Sequence, residues 1–133
     1  MDTKKAREQI FRHLDGIVTV PVALLLKRKG ILDKIQSQEQ TNLDELSTSF
    51  KANKGYLNVA LRVLASQGFI SYSVNNVTQK VHVEINNTTT EFVEGLHWYE
   101  LVSDLVHSYD VEDFMGKHPN EHHPILNILQ DFT

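Results

Sequence analysis

A chain of 133 residues, 41% hydrophobic and 23% charged, has the length and apolar content for one domain with its own core. A formal net charge of −4 and an isoelectric point near 5.9 argue against a partner gripped mainly through phosphates, which demands a basic surface. The absence of cysteine rules out disulfides, thiolate metal sites and cysteine nucleophiles.

Read as residues alone, no apolar run approaches the roughly 20 residues that span a bilayer. The first residues, MDTKKAREQ, are charged and unlike a secretory signal. A cytoplasmic protein without a membrane partner is expected.

Residues 3–15 predict a helix with Ile10, Phe11 and Leu14 on one side, interrupted at Asp15-Gly16. Thr19 then suits the N-cap of a second helix, with Pro21 in its first turn. That helix is apolar nearly all round and should be heavily buried. Lys27, Arg28 and Lys29 complement its C-terminal dipole, and Gly30 caps it. A short helical turn follows with Ile31, Leu32 and Ile35 inward. SQEQTN reads as a polar linker. Thr41 or Asn42 caps the helix LDELSTSF, with Glu45 placed as in a capping box.

From Asn53 to Tyr72 the pattern is strongest. Leu57, Ala60, Leu61 and Leu64 follow the spacing of a buried helical face, which Tyr56, Val59 and Val63 are expected to widen. Lys54, Asn58, Arg62 and Ser66 form one narrow polar stripe, and Gly68 suits a left-handed stop. A hairpin is predicted from Phe69–Val74 and Val77–Ile85 across Asn75-Asn76. Val77, Val81, Val83 and Ile85 share one face; Thr78, Lys80, His82 and Glu84 share the other. Two helices joined by a short turn and followed by a hairpin outline a winged helix-turn-helix: a mainly α domain with a small β-hairpin and extra helices at both ends.

A further helix is expected from Phe92 to Tyr109 with two apolar lines. Phe92, Leu96, Tyr99, Val102, Val106 and Tyr109 form one, and Trp98, Leu101 and Leu105 the other. These nine residues are the interface candidates. Exposed apolar surface is predicted to concentrate on this helix and on Val20–Leu26, which would favour self-association. Residues 1–115 are assigned to the winged-helix-like domain. Residues 116–133 are assigned to a His-rich linker and the start of a truncated helix leading to an absent domain. The chain is expected to be a piece of a longer protein.

No constellation carries a reaction. His118, Glu121, His122 and His123 match no metal-ligand spacing and lie between Pro119 and Pro124, as in a solvated loop. Asp104, Asp110, Glu112 and Asp113 have the density of a solvated helical face, without an accompanying base or nucleophile. The six glycines are all isolated, so there is neither a GxGxxG nor a P-loop. No catalytic, cofactor or metal residue is assigned. DNA reading is the rival function for a winged helix. Lys54, Asn58 and Arg62, with Lys80 and His82 on the wing, make a thin electrostatic footprint for it.

At HLDGIVTVPVALLLKRKGILDKI and GYLNVALRVLASQGF the sequence resembles the amino-terminal winged-helix domain of S-adenosylmethionine-dependent methyltransferases. It is most similar to methyltransferase modules of bacterial, cyanobacterial-type polyketide synthases. The likeness runs over about residues 10–75. It implies a non-catalytic domain that dimerises or caps an active site, while a following domain binds S-adenosylmethionine. Implied partners are a second copy or the missing catalytic domain, and an acyl carrier protein bearing the substrate. The alternative is a winged-helix transcriptional regulator.

Overall fold

The computed structural model describes residues 2–101, in the order α1 (Thr3–Arg28), α2 (Ile31–Gln38), β1 (Gln40–Asn42), α3 (Leu43–Ser49), α4 (Lys54–Ser66), β2 (Ser71–Val74), β3 (Val81–Glu84) and α5 (Thr89–Glu94). The chain divides between Glu94 and Gly95 into two compact units. In the first, helices α3 and α4 form the helix-turn-helix, and β2–β3 is the wing. The fold is mainly helical with a small antiparallel sheet, a winged helix as expected.

Helix α1 departs from the expectation of two helices broken at Asp15-Gly16. It is one helix of 26 residues, with Asp2 as N-cap, its side chain accepting from the Lys5 amide at 2.8 Å. A mid-helix glycine costs about 1 kcal/mol, too little to stop a helix whose other residues favour it. Gly16 does not adopt the left-handed backbone that would end the helix. Thr19 is therefore a buried interior residue and not a cap. Pro21 lies well inside the helix and withholds an amide from the Ile17 carbonyl. The continuous helix is long and apolar enough, by length and composition, to cross a membrane, with 22% of that apolar stretch buried, so the reading of no such run is corrected.

The core gathers where α1, α2, α3 and α4 meet the sheet. Ala23, Leu24 and Leu26 of α1 are buried together with Ile31, Leu32 and Ile35 of α2 and Leu43 and Leu46 of α3. Leu57, Leu61 and Leu64 of α4 complete it, each stabilising by roughly 2 kcal/mol relative to exposure. Gly30 (φ 83°) and Gly68 (φ 80°) supply the left-handed turns after α1 and α4.

The polar linker SQEQTN contains a strand the sequence did not reveal. β1 pairs antiparallel with β3 (Thr41 opposite Val83), giving a three-stranded sheet in the order β1-β3-β2. A three-residue strand is too short to show alternation. The wing is also tighter than expected. Its strands are only four residues each, and the Asn75 side chain accepts from the amides of Val77 (2.9 Å) and Thr78 (3.0 Å). That turn takes Val77, Thr78 and Lys80 out of the ladder; Val77 is 92% exposed instead of facing inward with Val83.

Asn42 is the α3 cap, accepting from the Glu45 amide at 2.8 Å. The reciprocal half of a capping box is missing. The Glu45 carboxylate instead accepts from Gln38 Nε2 (3.0 Å) and Thr41 Oγ1 (3.2 Å), tying α2 and β1 to α3. After the wing, Asn86, Thr88 and Thr89 clasp the turn that follows α4. Asn86 Nδ2 and Thr88 Oγ1 both donate to the Gly68 carbonyl, at 3.1 and 2.5 Å. Thr89 Oγ1 donates to the Phe69 carbonyl at 2.6 Å. The clasp seats α5, whose Phe92 ring stacks on Phe69 with centroids 4.0 Å apart.

Candidate functional site

Among the described residues, exposed large apolar side chains are most numerous on α1. None of residues 3–18 is buried, although Ile10, Phe11, Leu14, Ile17 and Val18 lie among them. At 100° per residue these side chains, with Pro21 and Leu25, fall in a stripe about 120° wide and about 22 Å long. Ile17 is 68% exposed and Leu25 53%. The stripe presents on the order of 600 Å² of apolar surface, at the upper end for the largest patch on a monomer. Arg7 lies across the Phe11 ring at 5.6 Å, at the outer end of the stripe.

This relocates the predicted patch. Val20–Leu26 was expected to be exposed, yet Ala23, Leu24 and Leu26 are buried, Val20 and Val22 are half-buried, and only Pro21 and Leu25 in that span are exposed. The cause is the continuity of α1, whose second half packs on α2 and α4 while its first half extends past them. Of the nine interface candidates, Phe92 in α5 is buried against Phe69. In the second unit residues 96–101 are helical. Leu96 is buried there, Tyr99 and Leu101 are half-buried, and Trp98 is 43% exposed. Gly95 is a turn, so the expected helix from Phe92 is broken there. Val102, Leu105, Val106 and Tyr109 lie outside the described residues, as does the His118–His123 cluster. Among the described residues no group of three or more His, Asp or Glu is gathered as a metal site would require.

The helix-turn-helix surface is poorly equipped for phosphates. The Lys54 ammonium is paired with the Asp44 carboxylate, and this pairing holds Asp44 below the usual carboxylate range. Asn58 Oδ1 accepts from the Tyr72 hydroxyl at 2.6 Å. Arg62 and Ser66 are left facing outward on α4, beside two apolar residues expected in the core: Tyr56, 79% exposed, and Val59, 57%. Helix α4 packs on α1, α3 and β2 mainly along the Leu57–Leu61–Leu64 line, with Ala60 and Val63 half-buried beside it, and no described element covers Tyr56 and Val59. The outer sheet face is polar, with Gln40, Glu84 and Ser71 in one cross-strand row and Asn42, His82 and Ser73 in the next.

A family model described as the AprA N-terminal domain matches residues 6–72, half of the chain. The chain belongs to the AprA N-terminal domain family. The matched span of this AprA N-terminal domain runs from within the exposed stretch of α1 to β2. No curated protein matches. Among solved structures the chain is similar to the transcriptional regulator homologue protein from Pyrococcus horikoshii, at 18% identity over 69% of this chain and 97% of that one, with a TM-score of 0.48. A homodimeric winged helix-turn-helix DNA-binding domain from Mycobacterium bovis matches at 20% identity over 92% and 97%, TM-score 0.43. The transcriptional regulator BldR from Sulfolobus solfataricus matches at 16% over 99% and 97%, TM-score 0.43.

Proposed function

We propose that this chain is a non-catalytic docking domain of an S-adenosylmethionine-dependent methyltransferase, acting as its dimerisation or lid surface through the apolar stripe of α1. The observation that carries the docking role is that stripe: a helix of 26 residues that displays Ile10, Phe11, Leu14, Ile17 and Val18 to solvent before its first buried residue, Thr19. A projecting helix of this length is marginal alone, and its apolar side gains stability when a partner covers it. Membership of a family named for an N-terminal domain supports the placement beside further domains. The methyltransferase, and its setting in a polyketide synthase acting on carrier-bound acyl groups, rest on the sequence resemblance. S-adenosylmethionine belongs in this reading to the domain that follows, because the isolated glycines here offer no donor loop.

Sedimentation analysis of the chain tests the docking role. A concentration-dependent dimer is expected, and Ile17→Glu is expected to abolish it while leaving the far-ultraviolet spectrum unchanged. Titration with S-adenosylmethionine should give no saturable heat. A monomer that binds duplex DNA with a steep salt dependence, lost on replacing Arg62 and Lys80, would overturn the reading in favour of a regulator.

A further inference from the structure

A second apolar feature lies apart from the stripe, sharing only Leu25 with it. The end of α1, the start of α2 and the α3–α4 turn enclose a cleft of about 220 Å³, floored by Leu26, Ile31, Phe50 and Leu57. Lys29 and Lys51 line it, and no acidic residue does. Neither lysine is ion-paired among the described residues.

The backbone at Lys51 is the second observation. Helix α3 ends in a Schellman motif, with the Ala52 amide donating to the Ser47 carbonyl (3.0 Å) and the Lys51 amide to the Thr48 carbonyl (3.4 Å). Lys51 occupies its left-handed position, φ 51°, where glycine would be free of strain. Glu39 and Gln79 share such a φ, so the strain marks no function by itself, but the motif sets Lys51 in the turn that lines the cleft. Here that side chain is a cation at an apolar cleft.

We propose that the cleft docks an acidic amphipathic helix of a partner protein. One or two aliphatic side chains spaced i, i+3 or i+4 would enter it, and flanking carboxylates would meet Lys29 and Lys51. The volume falls below the roughly 300 to 1,000 Å³ usual for small-molecule sites, and the cleft opens broadly to solvent. A small ligand would stay mostly wet there, whereas a helix laid across a groove needs to bury one face alone. Tyr56, largely exposed beside the cleft, offers the amphipathic aromatic contact that such interfaces favour. The reading is independent of the methyltransferase assignment.

The test uses the full chain and two labelled helical peptides of about 18 residues. Both carry the same leucine face, one flanked by glutamates and its twin by lysines. The acidic peptide is expected to bind at least about tenfold tighter by fluorescence anisotropy. Its amide shift changes should cluster at Leu26, Phe50, Lys51 and Leu57. Charge reversal at Lys29→Glu with Lys51→Glu should cost at least about tenfold in affinity for the acidic peptide. Lys51→Gly, which relieves backbone strain and so preserves the fold, should weaken it as well. Equal binding of the twins, unchanged affinity in the variants, or shifts elsewhere would overturn the proposal. So would duplex DNA displacing the peptide from these residues. Broadening of the Phe50, Lys51 and Leu57 amides, away from the α1 stripe, when the chain alone is concentrated would assign the cleft to a second copy and overturn it too.

Discussion

Thr89 is 1% exposed, and its hydroxyl serves two backbone groups at once. It donates to the Phe69 carbonyl at 2.6 Å and accepts from the Asn86 amide at 3.0 Å. Thr89→Val keeps the shape and removes both bonds, stranding a carbonyl and an amide. A stranded buried group costs about 1 to 3 kcal/mol, and water reaching half-buried Asn86 recovers part of that, leaving a loss of about 2 kcal/mol. Thr89→Ser keeps both bonds and deletes one buried methyl, a loss of about 1 kcal/mol. Urea unfolding followed by circular dichroism separates the two. With a slope of about 1.3 kcal/mol per molar, valine should lower the midpoint by about 1.5 M and serine by about half as much. A valine variant as stable as the serine one, or more so, would show that packing and not hydrogen bonding makes the clasp.

Lys51→Gly should raise stability by about 0.5 kcal/mol, the relief of left-handed strain less the greater entropy of unfolded glycine, read as a higher thermal midpoint. Leu61→Ala, at a fully buried site, should cost about 3 kcal/mol in the same assay, whereas Val59→Ala should stay within about 0.5 kcal/mol. Glu45 is held below the ordinary glutamate value by the hydrogen bonds from Gln38 and then Thr41. Its contribution is therefore present above the unfolded value and lost as pH falls through the lower folded one. Glu45→Gln should flatten that acid limb in a pH series of denaturation midpoints, and an unchanged limb would count against the link.

What the residues disclosed depended on how locally each feature is determined. Helix α4 was readable because Leu57, Leu61 and Leu64 repeat at helical spacing and Gly68 closes the helix within the same segment. Asn42 as a cap and Ile31, Leu32 and Ile35 as core were readable for the same reason. Strand β1 was not, since three polar-flanked residues become a strand only when β3 lies beside them. Nor was the side on which an apolar residue ends up. Tyr56 and Val59 belong to the helical pattern as well as Leu57 does, but no other described element covers them. The exposed stripe of α1 was missed for a related reason. Asp15-Gly16 reads as a break, and a break would have let the first helix fold back to bury Ile10, Phe11 and Leu14. The cleft lysines came from residues far apart in the chain, and Lys51 carries no sequence signal of its left-handed backbone.

The continuity of α1 also has a mechanical side. From Thr19 to its tip the helix extends about 24 Å beyond the point where it is first buried. A rigid rod of that length turns a rotation of about 10° at its base into a displacement of about 4 Å at the far end. A partner gripping Ile10 and Phe11, as proposed above, would be displaced by that amount on such a rotation, less whatever the helix bends at Pro21, where a backbone hydrogen bond is missing.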